Sequence, residues 1–487
     1  MERQTLHLFN SLTRREEEFS PKVPGKAGVY VCGATVQGKA HIGHMRSAVA
    51  FDIMRRWLEK SGYEVNFIRN VTDIDDKILK KAKEAGEEWW ALAYGFERSF
   101  EKDYSLLNVL PPSYEPRATG QIPEMVELVE ILLERGFAYA VPRPQTGGAD
   151  VYFDTGKWKG YGALTRQGEG ALEDLEEDGK GKKSPRDFAL WKAPKPSEPA
   201  SASWDAPFGK GRPGWHLECS AMSHRFLGDD FDIHGGGLDL RFPHHENEMA
   251  QSLAAGWPTA HYWLHSAWVT QKGEKMSKSL GNGLGVEEVC KKFSPWALRF
   301  ALGSVHYRSM LEWGDEAGME AKEVERRIFR FKEEAEDFLG REIRQAEAES
   351  LPKGALPEKF VSAMDSDLNV GPALAALFDS LRFLNSSMRS AAGRDETERG
   401  ILSAFAMLSV LGLSPADPAW KRTEPEGGLS PLVEELIEER EKARRERDFA
   451  KADAIREVLK RAGVALEDGK GGTVWRRLDN VGTKLNP

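Results

Sequence analysis

Gly28-Val-Tyr-Val-Cys-Gly-Ala-Thr-Val-Gln-Gly-Lys-Ala-His-Ile-Gly-His44 opens the stretch that decides the fold. Gly28–Val31 reads as a short buried strand, and the glycine-containing segment from Gly33 to Gly43 as a loop. From His44 to Lys60 the apolar residues Met45, Val49, Ile53, Met54, Trp57 and Leu58 recur with a helical period. Gly62 stops that helix, and Glu64–Ile68 reads as the next strand. A strand–loop–helix–strand unit of this kind is the first half of a nucleotide-binding α/β domain, with ligands beyond the carboxyl ends of the strands. His41 and His44 fall at that edge, before the helix.

Far downstream stands Lys275-Met-Ser-Lys-Ser279, followed by Leu280-Gly281-Asn282, which has the turn chemistry of a loop that opens and closes. Attack of a carboxylate on the α-phosphate of ATP builds negative charge that preorganised positive or dipolar groups must stabilise. Two imidazoles before a helix and two lysines on a distant loop can do this, and Gly43 between the imidazoles lets a nucleotide approach the backbone closely. Either string alone also reads as a chance tetrapeptide or a solvated basic loop. Together and in this order they resemble the paired nucleotide-activation motifs of class I aminoacyl-tRNA synthetases, which makes His41, His44, Lys275 and Lys278 the candidate catalytic set. There is no Walker A loop and no G-x-G-x-x-G, so neither a P-loop nucleotidase nor a dinucleotide enzyme is favoured.

The 487 residues, 40% hydrophobic and 30% charged, are enough for roughly three domains around a large core. No run of 18 apolar residues occurs, and Met1-Glu-Arg-Gln-Thr5 lacks the apolar core of a secretion signal. Three scattered cysteines, Cys32, Cys219 and Cys290, make no disulfide framework. The expectation is a cytoplasmic protein without a membrane partner. A net charge of −9 argues against indiscriminate nucleic-acid coating, yet Arg440–Pro487 holds 13 Lys/Arg against 8 Asp/Glu, a local +5. That tail fits a nucleic-acid contact at one end; it fits a solvated charged helix equally well.

Residues 1–124 and 206–300 read as the two halves of the α/β domain, separated by an insertion at 125–205 bracketed by Pro/Gly/Ser/Ala-rich stretches. The second half resumes with His216–Met222, continues through Phe231–Ile233, and includes a strand Trp263–Val269 that feeds the lysine loop. From Pro295 the pattern turns helical: 301–415 reads as a helical region, and 416–487 as a small module with a long charged helical pattern over Leu432–Arg461. Asp73, Asp75 and Asp76 read as an acidic cluster at a helix N-terminus rather than as a second metal site. His234 precedes Gly235–Gly237, where backbone can approach adenine or ribose; a plain turn is the alternative.

His244 and Glu248, at i and i+4, share one helix face, a common way to offer two metal ligands. With Cys219 and Cys32 they supply one or two thiolates, an imidazole and a carboxylate, a donor set suited to zinc. Each cysteine also reads as a buried small apolar residue. The segment is no metalloprotease motif, because Met249 stands where H-E-x-x-H needs its second histidine.

Val31-Cys-Gly-Ala-Thr35, Arg69-Asn-Val-Thr-Asp-Ile-Asp-Asp-Lys77, Gly214-Trp-His-Leu-Glu-Cys-Ser-Ala-Met222, Phe231-Asp-Ile-His-Gly-Gly-Gly237 and Phe242-Pro-His-His-Glu-Asn-Glu248 closely resemble cysteinyl-tRNA synthetases. So do Asp448–Arg456 and Thr473–Arg476 in the tail, and Asp367–Leu374 resembles the start of the helical-bundle anticodon domain of the class. The resemblance implies an α/β fold: a class I Rossmann-type parallel-sheet catalytic domain with an insertion, then a helical-bundle tRNA-binding region and a C-terminal anticodon-recognition module. It implies one zinc per chain on Cys32, Cys219, His244 and Glu248, and an amino-acid pocket lined by Gly33, Thr72 and Trp215. It implies ATP contacts at His41, Gly43, His44, Gly235, Gly236, Asp239 and Lys278. The substrates implied are L-cysteine, Mg-ATP and tRNA-Cys, and a monomer is expected. Zinc prefers a thiolate to a neutral hydroxyl, so cysteine is separated from serine without an editing domain, and the insertion reads as a structural or acceptor-stem element. Val36-Gln37-Gly38 departs from the Tyr-Asp that many members carry after the threonine; this touches local loop contacts only. Two rivals remain: the cysteine–amino-sugar ligase of mycothiol synthesis, which lacks a full tRNA-binding C-terminus, and a non-catalytic zinc-stabilised tRNA-binding relative.

Overall fold

The computed structural model describes residues 5–166, 181–275, 283–390, 393–420, 430–446, 448–462, 464–469 and 472–477. They fall into two units, 1–420 and 421–487. At the centre of the first, β1 (Lys26–Val31) lies between β2 (Glu64–Arg69) and β3 (Ile233–Gly237), with β4 (Tyr262–Ser266) beyond β3. All three pairings are parallel. A central parallel strand is covered on both faces, which is why Val29, Tyr30 and Val31 are all buried.

The helix α1 (Ile42–Lys60) joins β1 to β2, and its six sequence-marked apolar residues, Met45 to Leu58, are all buried. It begins two residues earlier than the apolar period indicates. His41 is the N-cap, its ring accepting from the Gly43 N–H at 3.1 Å, while the His41 N–H donates to His44 Nδ1 at 3.2 Å. His44 therefore belongs to the first helical turn rather than to the loop before it. Histidine is not among the usual capping residues, so periodicity alone could not place this start.

The strand read as Trp263–Val269 is two strands. β4 ends at Ser266, and Val269–Gln271 joins a separate small sheet, parallel to Leu311–Glu312 and antiparallel to Glu274–Lys275. Between 138 and 213 lies an antiparallel four-stranded sheet, Ala138–Arg143, Gly148–Phe153, Phe188–Lys192 and Arg212–Pro213. Of the three aspartates, Asp75 caps the helix Asp76–Ala85 by accepting from the Lys77 N–H at 2.8 Å. Asp76 pairs with Arg212, Lys192 and Lys195, which hold its carboxyl far below the usual range although burial alone would raise it.

Helices Pro295–Gly303, Asp315–Leu339, Val370–Ser390 and Arg394–Val410 continue the same hydrophobic core. A buried ionic knot ties them to α1. Asp52 accepts from Arg56 Nε at 2.8 Å and from Arg299, whose guanidinium also reaches the carbonyls of Leu107, Asn108 and Leu411. In the second unit the pattern read as one helix is two, Ser430–Arg445 and Phe449–Arg461, because Asp448 caps the latter by accepting from the Lys451 N–H. A hairpin, Val464–Gly469 with Gly472–Arg477, completes it. No helix among the described residues is long and apolar enough to cross a membrane.

Candidate active site and metal centre

Cys32 directly follows β1, Cys219 sits on α2 (Trp215–Leu227), and Glu248 lies in the first turn of α3 (Glu246–Ala255), whose preceding turn carries His244. The parallel sheet and the two helices bring these four together. Cys32 Sγ is 3.6 Å from Cys219 Sγ and 3.4 Å from Glu248 Oε1; His244 Nε2 is 3.4 Å from Cys219 Sγ and 3.0 Å from Glu248 Oε1. Ligands held tetrahedrally by zinc at ~2.0–2.3 Å lie ~3.3–3.8 Å from one another, so these donors stand at, or just inside, tetrahedral spacing. Cys219, His244 and Glu248 are at most 2% exposed. Two sulfurs, an imidazole nitrogen and a carboxylate gathered with so little water form a donor set whose charge a bound divalent cation would neutralise. The residues fit the metal.

Around the quartet, His244 Nδ1 meets His216 Nδ1 at 3.0 Å, leaving Nε2 to face the thiols. An outer partner on the second ring nitrogen is the usual device for orienting a ligating histidine. Burial and the neighbouring His244 hold His216 well below the ordinary imidazole range, so it stays neutral. His234 Nε2 holds the other carboxylate oxygen of Glu248 at 3.2 Å; with Cys32, His245 and Glu248 it forms a second, overlapping donor set. Burial raises the Glu248 carboxyl, but His234 and His244 outweigh it and hold it below the usual range.

Thr72 and Trp215 flank the quartet. Trp215 stacks on the His244 ring with centroids 4.3 Å apart. Thr72 Oγ1 donates to Glu218 at 2.9 Å and receives Asn70 Nδ2 at 3.2 Å. The N–H of Gly33 donates to Asn70 Oδ1 at 2.8 Å, and a Cβ at Gly33 would lie 1.7 Å from the Asn70 carbonyl oxygen, so only glycine fits there. The sequence pattern does not mark Asn70, His216 or Glu218, and it marks His234 only as the residue before a glycine run, whereas here its ring holds Glu248. His216 and Glu218 stand three and one residues before Cys219, but inward-pointing polar residues on a mostly buried helix carry no periodic signal of their own.

At the same edge, the His41 and His44 rings lie 3.7 Å apart between centroids. Lys275 ends the short strand Glu274–Lys275, and Lys278 lies outside the described residues. The backbone after the lysine loop returns to the histidines: Ile42 N–H donates to the Leu284 carbonyl at 3.1 Å, and His41 bridges Gly285. Glu287 then pairs with Lys39 at 3.0 Å and Lys102 at 3.3 Å. Gly235 and Gly236 are buried within β3, where a Cβ would meet Phe51 at 2.3 Å and His245 at 2.9 Å, so packing already demands glycine there. Asp239 is exposed in the one-turn helix Leu238–Leu240.

Comparison with known proteins gives a consistent picture. Residues 18–323 match the family described as tRNA synthetases class I (C) catalytic domain, 359–413 the DALR domain, and 426–476 the cysteinyl-tRNA ligase anticodon binding domain. Cysteine–tRNA ligases of Bifidobacterium longum and Beutenbergia cavernae are 48% and 50% identical to the chain. The alignments cover 96% and 97% of this chain and 94% and 99% of those proteins. Among solved structures, Mycobacterium tuberculosis methionyl-tRNA synthetase in complex with methionyl-adenylate aligns over 80% of this chain and 90% of its own, with a TM-score of 0.56 at 16% identity. The LeuRS–tRNA–LeuAMS ternary complex of Agrobacterium radiobacter K84 aligns over 82% and 86%, with a TM-score of 0.59 at 12% identity. At such identities the two structures speak for the fold alone.

Proposed function

The chain belongs to the class I cysteine–tRNA ligase family, and from that premise we propose how its own residues carry the two-step ligation. L-Cysteine reacts with Mg-ATP to give cysteinyl-adenylate and pyrophosphate, and the cysteinyl group then passes to the 3′ end of tRNA-Cys. Cys32, Cys219, His244 and Glu248 hold one zinc. When bound there, the metal supplies the positive charge that keeps a substrate thiol as thiolate and passes over the neutral hydroxyl of serine. Gly33, Thr72 and Trp215 line the pocket for the rest of the amino acid.

His41 and His44, fixed by the cap of α1, face the phosphates together with the N-terminal dipole of that helix. Lys275 and Lys278 add charge from the loop and stabilise the α-phosphate as it is attacked. Gly43, Gly235, Gly236 and Asp239 accompany the nucleotide, Asp239 at the ribose. Residues 1–124 and 206–300 form the catalytic domain around the connective insertion 125–205, 301–415 the helical linker and bundle, and 416–487 the anticodon module. We also place the protein in the cytoplasm as a monomer.

The observation that carries this reading is the two-thiol, imidazole and carboxylate quartet, three of its four members buried, at the end of the strand that leads into the His41–His44 helix start. The match at 426–476 supports tRNA over an amino sugar as the acceptor. Purified protein should catalyse cysteine-dependent ATP–pyrophosphate exchange and charge tRNA-Cys within a panel of transcripts. Exchange without charging of any transcript would favour the amino-sugar ligase; no exchange at all would reject the enzyme reading.

A further inference from the structure

The helix Trp89–Leu106 buries one face, with Trp89, Leu92, Ala93, Glu97, Phe100 and Asp103 turned inward. Trp90 and Tyr94, one turn apart beside that face, are 57% and 48% exposed. A lone exposed aromatic is ordinary, but this pair is set among cations. The Arg98 guanidinium lies 5.8 Å from the Tyr94 ring centre and reaches its hydroxyl at 3.4 Å; that of Arg117 lies 5.4 Å from the same ring. Glu97 matches Arg117 at 3.0 Å, whereas among the described residues Arg98 has no carboxylate partner.

The stripe has two ends of known place. At one, Trp89 Nε1 donates to Ser201 Oγ of the insertion at 3.1 Å. At the other, Arg117 pairs in parallel with Val71, the residue before Thr72, and Glu97 lines a cleft with Ala34, Asn70 and Val71. It therefore runs from the insertion to the wall of the amino-acid pocket. We propose that this stripe is the track for the unpaired 3′ nucleotides of tRNA: a base stacks on the open Trp90 indole, and Arg98 and Arg117, seated on Tyr94, neutralise the phosphate beside it. The acceptor end must reach the pocket to receive the cysteinyl group, and a single strand carries a base plane and a phosphate at every step. An apolar partner would leave the guanidinium groups unmatched, and a duplex would present phosphates without open base faces. The inference rests on the reading of tRNA as the acceptor.

The test measures binding of the full-length enzyme to two tRNA-Cys transcripts, one complete and one lacking its unpaired 3′ nucleotides. Trp90→Ala should weaken binding of the complete transcript about 5- to 150-fold, the range for one stacked base, and Trp90→Phe, which keeps a ring, by less than about threefold. Arg98→Gln should also weaken it and lower the salt slope by about 0.7, as for one single-strand phosphate. On the shortened transcript all three variants should match wild type within about twofold. Cysteine-dependent pyrophosphate exchange, which needs no tRNA, should hold within the same limit and shows that the variants are folded. Equal weakening on both transcripts, no weakening on either, or a Trp90→Phe as poor as Trp90→Ala overturns the proposal. Unchanged tRNA binding with an altered association state would give the face to a second copy of the chain, and overturns it too. A wild-type enzyme that neither binds nor charges tRNA-Cys sinks the acceptor reading itself, an outcome distinct from variants that match a charging wild type.

Discussion

The Cys32–Cys219–His244–Glu248 quartet and the His41–His44 turn stand at one edge of the same sheet, yet they are built in opposite ways. The quartet collects its donors from residues 32, 219, 244 and 248, on separate elements, three of the four nearly closed to water, each satisfied by the others. The turn takes both histidines from four consecutive residues, leaves them half-buried, and satisfies them through their own backbone as a helix cap. A permanently bound cation can be sealed in, whereas phosphates must enter and leave. The quartet should therefore fail as a unit, while the nucleotide machinery should fail in rate alone.

The most severe break expected is Cys219→Ser. A serine hydroxyl is a poor zinc ligand, and its replacement removes a thiolate from the centre of the donor network. Zinc content and cysteine activation should fall together, by more than the ~10–100-fold that loss of an outer-shell partner costs. Metal analysis alongside pyrophosphate exchange checks this, and full activity in a verified zinc-free preparation would remove the metal from the reaction.

Lys278→Ala should act on the other limb. Adenylate formation should slow by about 10²-fold, as for loss of one transition-state donor. Cysteine affinity and zinc content should hold. A variant that loses cysteine binding but keeps its chemical rate would erase the division of labour between the two regions.

How much of this was legible beforehand follows the same division. The strand–loop–helix–strand unit could be read because Met45 to Leu58 keep a helical period over four turns, and that signal is local. His244 and Glu248 could be paired because one helical turn separates them. Asn70, His216, Glu218 and His234 could not, because each acts through a partner that only the fold brings near. The break between Ser266 and Val269 was invisible for a related reason: Val269–Gln271 pairs with Leu311–Glu312, some forty residues on, and no local pattern announces a change of sheet. The split near Asp448 was a different case. Aspartate before a helix is a familiar cap, and the charge-rich periodicity on either side masked it.

The second unit offers a gentler cut. Trp420 is 7% exposed and its indole N–H donates to the Gly412 carbonyl at 3.1 Å, so a truncation belongs after Trp420, where the first unit ends. Exchange by the folded truncation should stay within about twofold, since quartet and turn remain whole. tRNA charging should fall through weaker binding, and tRNA affinity should depend less steeply on salt as phosphate contacts are lost. Undiminished charging would place recognition elsewhere.

The smallest effect separates stability from chemistry at the nucleotide edge. Asp103, on the helix Trp89–Leu106, is 4% exposed, and burial together with the facing Glu287 raises its carboxyl to about 6 despite Lys102 and Lys39. An acid whose folded pKa lies above its unfolded value binds more protons when folded. Stability therefore falls as pH rises from about 4 through 6, and the loss is complete above that window. Asp103→Asn removes this cost. Its Tm should exceed wild type by about 1–2 °C at pH 7.5, and the gain should disappear below about pH 4. Because Asp103 touches neither the quartet nor the histidine rings, exchange at saturating cysteine and ATP should be unchanged. A gain that persists at low pH would mean that the packing of the asparagine, rather than the charge of Asp103, sets the effect.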